Sequence, residues 1–252
     1  MKYTNITDKS FWDSAYKNKD HHYYMIDPMH GAKGLLKKAL DPWLLNAKNV
    51  LELGCGSSRF LMFFNLIAKL QTYGIDFSNK GIQDLQKMAE GHKANHILYY
   101  GDIFEHNLDG KKFDIVFHSG LVEHFQDLNV FFDRCRFFCK SDGLMIFFMP
   151  NMQNKAWSWH GKICPQNYSS HIPYTKEQII DAIEPFFLLQ DVRSWGYLQV
   201  YAGGPPESCL AKGVKYLNLF LIMLTTLFVF DYKGNINQAW SSSWLFICKP
   251  KG

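Results

Sequence analysis

The stretch LELGCGSSRF, residues 51–60, runs from an apolar segment through two closely spaced glycines into a polar step and then an aromatic. With the two residues before it, NVLELGCG at 49–56 reads as a short buried strand entering a tight turn, because a brief apolar run closed by glycines suits a strand covered on both faces. FLMFFNLIAKL at 60–70 is almost entirely apolar and suits a helix packed on a sheet. A glycine turn between strand and helix lets a ligand approach the backbone closely and offers N–H groups at the helix start. Gly54 and Gly56 supply the first two glycines of a nucleotide-binding turn, and Arg59 stands where a third would fall.

Working outward, the same alternation continues. YGID at 73–76 is a second strand edge, residues 78–91 a polar helix, and HILYYGD at 96–102 a third strand. FDIVFHSG at 113–120 is a fourth strand, followed by a helical stretch over 127–140 on which Cys135 and Cys139 share a face. DGLMIFFMP at 142–150 is a fifth strand, entered through a glycine turn. Strands alternating with helices at this spacing imply right-handed βαβ units and a parallel sheet. Residues 151–173 read as a loop region with Trp157, Trp159, His160 and His171. YTKEQIIDAIEPF at 174–186 is a helix on which Thr175 and Gln178 fit a capping box. Two last strands are expected near 188–202 and 243–249.

The totals agree with one globular unit. The 252 residues are 47% hydrophobic, 16% aromatic and 20% charged, which excludes a disordered chain and suffices for one domain. A formal net charge of +4 over this length marks no nucleic-acid partner. None of the six cysteines forms a CxxC pair, and MKYTNITDKSFWD at the start has no apolar signal-like run. A reduced, cytoplasmic protein is therefore expected.

Asp76 closes the second strand 22 residues after Gly54, where a carboxylate is placed to accept from ribose hydroxyls. Glycine turn and acid together predict an adenosine-type ligand without choosing among nicotinamide, flavin and sulfonium cofactors. The order Glu52-Leu53-Gly54-Cys55-Gly56, Gly74-Ile75-Asp76-Phe77-Ser78, Gly101-Asp102-Ile103 and Phe113-Asp114-Ile115-Val116, running into Glu123-His124-Phe125, resembles the class I S-adenosylmethionine-dependent methyltransferase family over residues 49–150. The resemblance implies an α/β, Rossmann-like seven-stranded sheet, mostly parallel, with helices on both faces. It has an N-terminal helical lid over 1–46, a cofactor-binding core over 47–150, and a substrate-side region with a late helical insertion and the last two strands over 151–252.

It also implies roles. Gly54 and Gly56 would contact the methionine part of S-adenosylmethionine through backbone, Asp76 would hold both ribose hydroxyls, and Phe77 would pack on adenine. Asp102 would accept from the adenine amino group beside the Ile103 N–H, and Ser119 would meet the cofactor's amino end. FWDSAY at 11–16 looks like the family's lid helix, with Trp12 and Tyr16 near the cofactor. The Glu123-His124 pair resembles that of ubiquinone-type O-methyltransferases, where a second acid helps hold a divalent metal. Gly120 stands at that upstream position, so no metal is expected.

His124 and His171 are the candidate general bases for an acceptor hydroxyl or amine. The acceptor is expected to be a small molecule, with sugar and lipid-linked compounds among the candidates. A nicotinamide-dependent oxidoreductase lacks a visible Tyr-Lys pair at the strand ends, and a non-catalytic scaffold is the rival from another class. YLNLFLIMLTTLFVF at 216–230 is apolar nearly all round, yet at about 22 Å it is too short for a ~30 Å hydrocarbon core. It is expected to lie buried against the sheet edge or a second copy of the chain in a homodimer; a hydrophobic wall or entrance for a lipid-linked or otherwise apolar acceptor, or a membrane-surface contact, is the less favoured reading.

Overall fold

The computed structural model describes residues 6–16, 34–163, 165–198 and 241–252, with six further positions between 213 and 221. A short helix α1 (Lys9–Ala15) and a second helix α2 (Leu35–Leu44) precede the sheet. Then come β1 (Asn49–Leu53), α3 (Arg59–Leu66), β2 (Gln71–Asp76), α4 (Asn79–His92), β3 (His96–Tyr100), β4 (Phe113–Ser119), α5 (Leu128–Phe138) and β5 (Cys139–Pro150). Three helices follow, α6 (Lys155–Ile163), α7 (Pro165–Ser169) and α8 (Lys176–Ile183), and the chain ends on β6 (Phe187–Leu198) and β7 (Ser241–Pro250).

The seven strands lie in the order β3-β2-β1-β4-β5-β7-β6. Neighbours among the first five are parallel, and β7 runs antiparallel to both β5 and β6. Period-two alternation sends successive side chains to opposite faces. Phe147, Met149 and Phe246 join the core under α5 and α8, while Ile146, Phe148 and Leu245 join the core under α2 and α3. Each fully buried Phe or Leu of this kind contributes roughly 1.5–3 kcal/mol. The strand order reverses between β1 and β4, and that crevice at the carboxyl ends is where an open α/β sheet takes its ligand.

Several local expectations need correction. The helix over 127–140 ends at Phe138; Cys139 is the first residue of β5, with an extended backbone. The two cysteines therefore do not share a helix face. Gly143 is not a turn before the fifth strand but a position inside it: a Cβ there would stand 2.9 Å from the carbonyl oxygen of Asp114, beside a bulge between Phe113 and Ile115. The 151–173 region is mostly helical, not loop, because the Asn154 side chain caps α6 by accepting from the Trp157 N–H at 2.8 Å. The capping box of Thr175 and Gln178 forms as read. No helix among the described residues is long and apolar enough to cross a membrane. Of the apolar run 216–230, Tyr216, Leu217 and Phe220 are exposed; most of the remainder lies outside the described residues, as does most of the 1–46 segment after Tyr16.

Candidate active site

The turn after β1 is held by main-chain bonds to β2. The N–H groups of Gly54 and Cys55 both donate to the Ile75 carbonyl, at 2.9 and 3.1 Å. Gly56, at φ +39°, brings its backbone to where a Cβ would meet the Tyr16 hydroxyl at 2.0 Å, so only glycine fits. Ser58, not a third glycine, then opens α3: its hydroxyl accepts from the N–H groups of Phe60 and Leu61 and donates to buried Glu52 at 2.6 Å. Burial pushes the Glu52 carboxyl well up, partly opposed by that Ser58 hydrogen bond.

Asp76 lies at the end of β2 with almost no exposure. Its carboxylate accepts from Gly56 N–H and Ser78 N–H, each at 2.7 Å. Burial raises its pKa to about 6, against the lowering pull of those two N–H groups. Ser78 caps α4 and donates its hydroxyl to Asp13 at 2.5 Å, which ties the N-terminal helix to the turn. Asp102 accepts from Phe104 N–H at 2.9 Å, and burial raises its pKa.

Gly54, Asp76 and Asp102 face one cavity of about 680 Å³. Gly54, Asp76, Phe77, Asp102, Ile103, Ser119, Trp12, Tyr16 and His124 all line it, so nine of the eleven residues singled out from sequence converge. Gly56 sits one step back, beneath Tyr16, and His171 lies behind His124 with ring centres 4.9 Å apart. Trp12 stands edge-on to His124 at 5.0 Å and stacks on Tyr16 at 6.0 Å, and all three rings line the cavity.

Beside the cavity, three segments meet after β4. A 3-10 turn, Val122–His124, carries Glu123 and His124, both buried. Ile6 N–H donates to the His124 carbonyl and Ile172 N–H to the Glu123 carbonyl, at 3.0 and 2.8 Å. His124 Nδ1 faces the Ser170 carbonyl at 2.7 Å. Burial, with a smaller push from nearby His171, drops the His124 pKa to about 3. Burial raises Glu123 to about 8. No local signal in the sequence shows the burial of Glu123, which comes from the distant 170–172 segment folding over it.

A seven-stranded sheet in this order, with a glycine turn, a strand-end acid and a second acid around one adenosine-sized cavity, defines an S-adenosylmethionine-dependent methyltransferase of the Rossmann-like class. The family described as a methyltransferase domain matches residues 44–197, and the chain belongs to it. A ubiquinone biosynthesis O-methyltransferase from Bradyrhizobium sp. (strain ORS 278) is 30% identical over 115 residues, and one from Rhodopseudomonas palustris (strain TIE-1) is 27% identical. The chain spans 44% of the length of these curated relatives. Among solved structures, a Pyrococcus horikoshii OT3 protein superposes at a TM-score of 0.61 with 17% identity, covering 97% of this chain and all of that one. The N-methyltransferase NodS from Bradyrhizobium japonicum WM9, solved with S-adenosyl-L-homocysteine, superposes at 0.57 with 12% identity, covering 99% of this chain and 100% of its own. The likeness to both structures is one of fold.

Proposed function

We propose that this protein transfers the methyl group of S-adenosylmethionine to an oxygen or nitrogen atom of a small-molecule acceptor. One observation carries the reading: a single cavity joins the Asp76–Asp102 end, suited to ribose and adenine, to a wall of Trp12 and His124 beyond Ser119. In this reading Asp76 accepts from the ribose hydroxyls, Phe77 packs on adenine, and Asp102 with the Ile103 N–H reads the adenine edge. The Gly54–Gly56 backbone and Ser119 hold the methionine part.

The reaction is an in-line displacement. A lone pair on the acceptor forms a bond to the methyl carbon as the carbon–sulfur bond breaks, and the sulfonium leaves as a neutral thioether. Charge is dispersed at sulfur, so alignment and exclusion of water are the protein's main contributions. The acceptor also loses a proton. His124, held neutral by burial, is available to orient an acceptor hydroxyl by hydrogen bonding, with His171 one ring away as the second candidate to take the proton.

The deciding experiment incubates the purified protein with methyl-labelled cofactor and a small-molecule extract, then identifies the labelled product. Label in a small molecule is expected. Label only in protein or nucleic acid, or cofactor binding with no transfer to any fraction, would sink the reading.

A further inference from the structure

Among the described residues, Glu123 has a buried carboxyl with no hydrogen bond to either oxygen. Buried carboxyls normally pair with a cation or with several donors. The ring beside it supplies neither, because His124 turns to the backbone carbonyls of Ser170, at 2.7 Å, and Gly120. The segment that covers Glu123 bonds to its main chain, Ile172 N–H donating to the Glu123 carbonyl. The carboxyl meets the cavity at a gap. Gly120 lines the cavity and holds φ at +64°. Where a Cβ of residue 120 would stand, Glu123 Oε1 lies at 3.5 Å, and no other atom beyond the adjoining residues comes within 4 Å.

We infer that the methyl acceptor is an amine, and that Glu123 receives its ammonium group at the Gly120 gap and takes its proton during transfer. This rests on the methyl-transfer reading and narrows the acceptor atom from oxygen or nitrogen to nitrogen. The cavity as a whole favours a cation. Its lining carries four carboxylates, Asp8, Asp76, Asp102 and Glu105, against one ammonium, Lys9, which is engaged by the Tyr100 hydroxyl at 2.6 Å. A cleft lined by one sign of charge concentrates ligands of the other sign. At the Gly120 end the lining is aromatic, with Trp12 and Phe125 beside His124, and ring faces attract an ammonium within about 6 Å. An acceptor hydroxyl would give the buried carboxyl one hydrogen bond and no charge. An ammonium gives both.

The step balances without a further reactant. The bound ammonium passes one proton to the Glu123 carboxylate, which leaves a lone pair on nitrogen. That pair bonds to the methyl carbon as the carbon–sulfur bond breaks, and sulfur keeps the bonding electrons as a neutral thioether. The product is an N-methylammonium ion, and the carboxyl returns its proton to solvent as the product leaves. Burial raises Glu123 to about 8, which brings it closer than an ordinary carboxylate to the ~10.4 of an alkylammonium. A positioned group matched in this way suits general-base work.

The test supplies S-adenosylmethionine labelled with carbon-13 in the methyl group, together with a small-molecule extract, to the full chain and reads the product by carbon NMR. An N-methyl product is expected, and an O-methyl product would overturn the amine assignment alone. S-adenosylhomocysteine binding with no labelled product in any fraction would count against methyl transfer itself, and the amine assignment would fall with it. On the acceptor so identified, Glu123→Gln should lose about 100-fold or more in kcat/KM while S-adenosylhomocysteine affinity stays within about 2-fold of wild type. Glu123→Asp should recover part of the loss. Turnover unchanged in Glu123→Gln would remove Glu123 from the reaction. A second measurement uses the wild-type chain and stands if Glu123→Gln fails to fold. In the S-adenosylhomocysteine complex, adding the amine should replace the infrared C=O stretch of one protonated carboxyl with carboxylate bands. A difference spectrum without that exchange would overturn the pairing.

Discussion

The carboxylate of Asp76 accepts the backbone N–H of Gly56 at 2.7 Å, so the acid at the end of β2 and the glycine turn after β1 form one unit. Its other oxygen accepts from Ser78 N–H at the same distance. Asp76 therefore shapes the turn it works beside, as well as facing the cavity.

Asp76→Ala is expected to lose cofactor affinity by more than the ribose contacts alone. Hydrogen bonds to a charged acceptor are worth about 1.5–3 kcal/mol each, and the variant also orphans two buried N–H groups. Calorimetry with S-adenosylhomocysteine should show at least a 100-fold loss. An affinity within 3-fold of wild type would show that the carboxylate faces no ligand.

The same carboxylate sets a pH dependence with opposite signs for folding and binding. Burial raises its pKa from 3.8 to about 6 in the ligand-free protein. The contribution of Asp76 to stability is therefore largest below about 4 and declines as pH rises towards 6, since the unfolded chain ionises first. Ribose hydroxyls need the ionised acceptor, so cofactor affinity should rise with pH through the same window and level off above 6. Below it, affinity should fall by about tenfold per pH unit at most. In Asp76→Asn this dependence should vanish, together with much of the binding, because the amide NH2 must face one of the two N–H donors. A flat affinity profile from pH 5 to 8 in the wild-type protein would refute the assignment.

Much of this site was legible because its signals are local. Gly54, Gly56, Asp76 and Asp102 each sit at a strand end, and the period-two and helical patterns between them fix where those ends fall. Glu123 was not legible in the same way. Its burial depends on residues 170–172 crossing over it, a contact nearly fifty residues away in sequence. Residues 155–169 read as loop for a related reason: their helices draw on the Asn154 cap and on contacts of Trp157 with His160, Tyr168 and His171, and the linear order of residues does not reveal these contacts.

Ser58 replaces a glycine-rich continuation with a cap, and that has a measurable consequence. Its hydroxyl accepts from two N–H groups at the start of α3 and donates to Glu52. Losing an N-cap costs about 1 kcal/mol, and leaving a buried carboxyl without its donor adds roughly 1–3 kcal/mol. Ser58→Ala should therefore destabilise the fold by about 2–4 kcal/mol in urea unfolding, and Ser58→Thr should recover a large part. A loss under 0.5 kcal/mol would mean Glu52 finds another donor.

Trp12 should matter to ligand affinity far more than to folding. It sits half-buried on α1, whose N-terminus Asp8 caps by accepting from Phe11 N–H at 2.8 Å. The helix is moored twice, by Asp13 to Ser78 at 2.5 Å and by Lys9 to the Tyr100 hydroxyl at 2.6 Å. Neither mooring uses the indole. The indole N–H is taken by Thr7 at 3.0 Å, and the ring lines the cavity between Tyr16 and His124. Aromatic contacts of this geometry are worth about 0.5–1.5 kcal/mol beyond area burial. Trp12→Ala should then weaken S-adenosylhomocysteine binding roughly 3- to 30-fold, allowing for the lost apolar wall, while thermal unfolding of the ligand-free protein moves little. Trp12→Phe should retain most of the affinity because a ring still faces His124. If Trp12→Ala lowered the melting temperature of the free protein sharply and left affinity untouched, Trp12 would belong to the packing of the N-terminal segment and not to a lid.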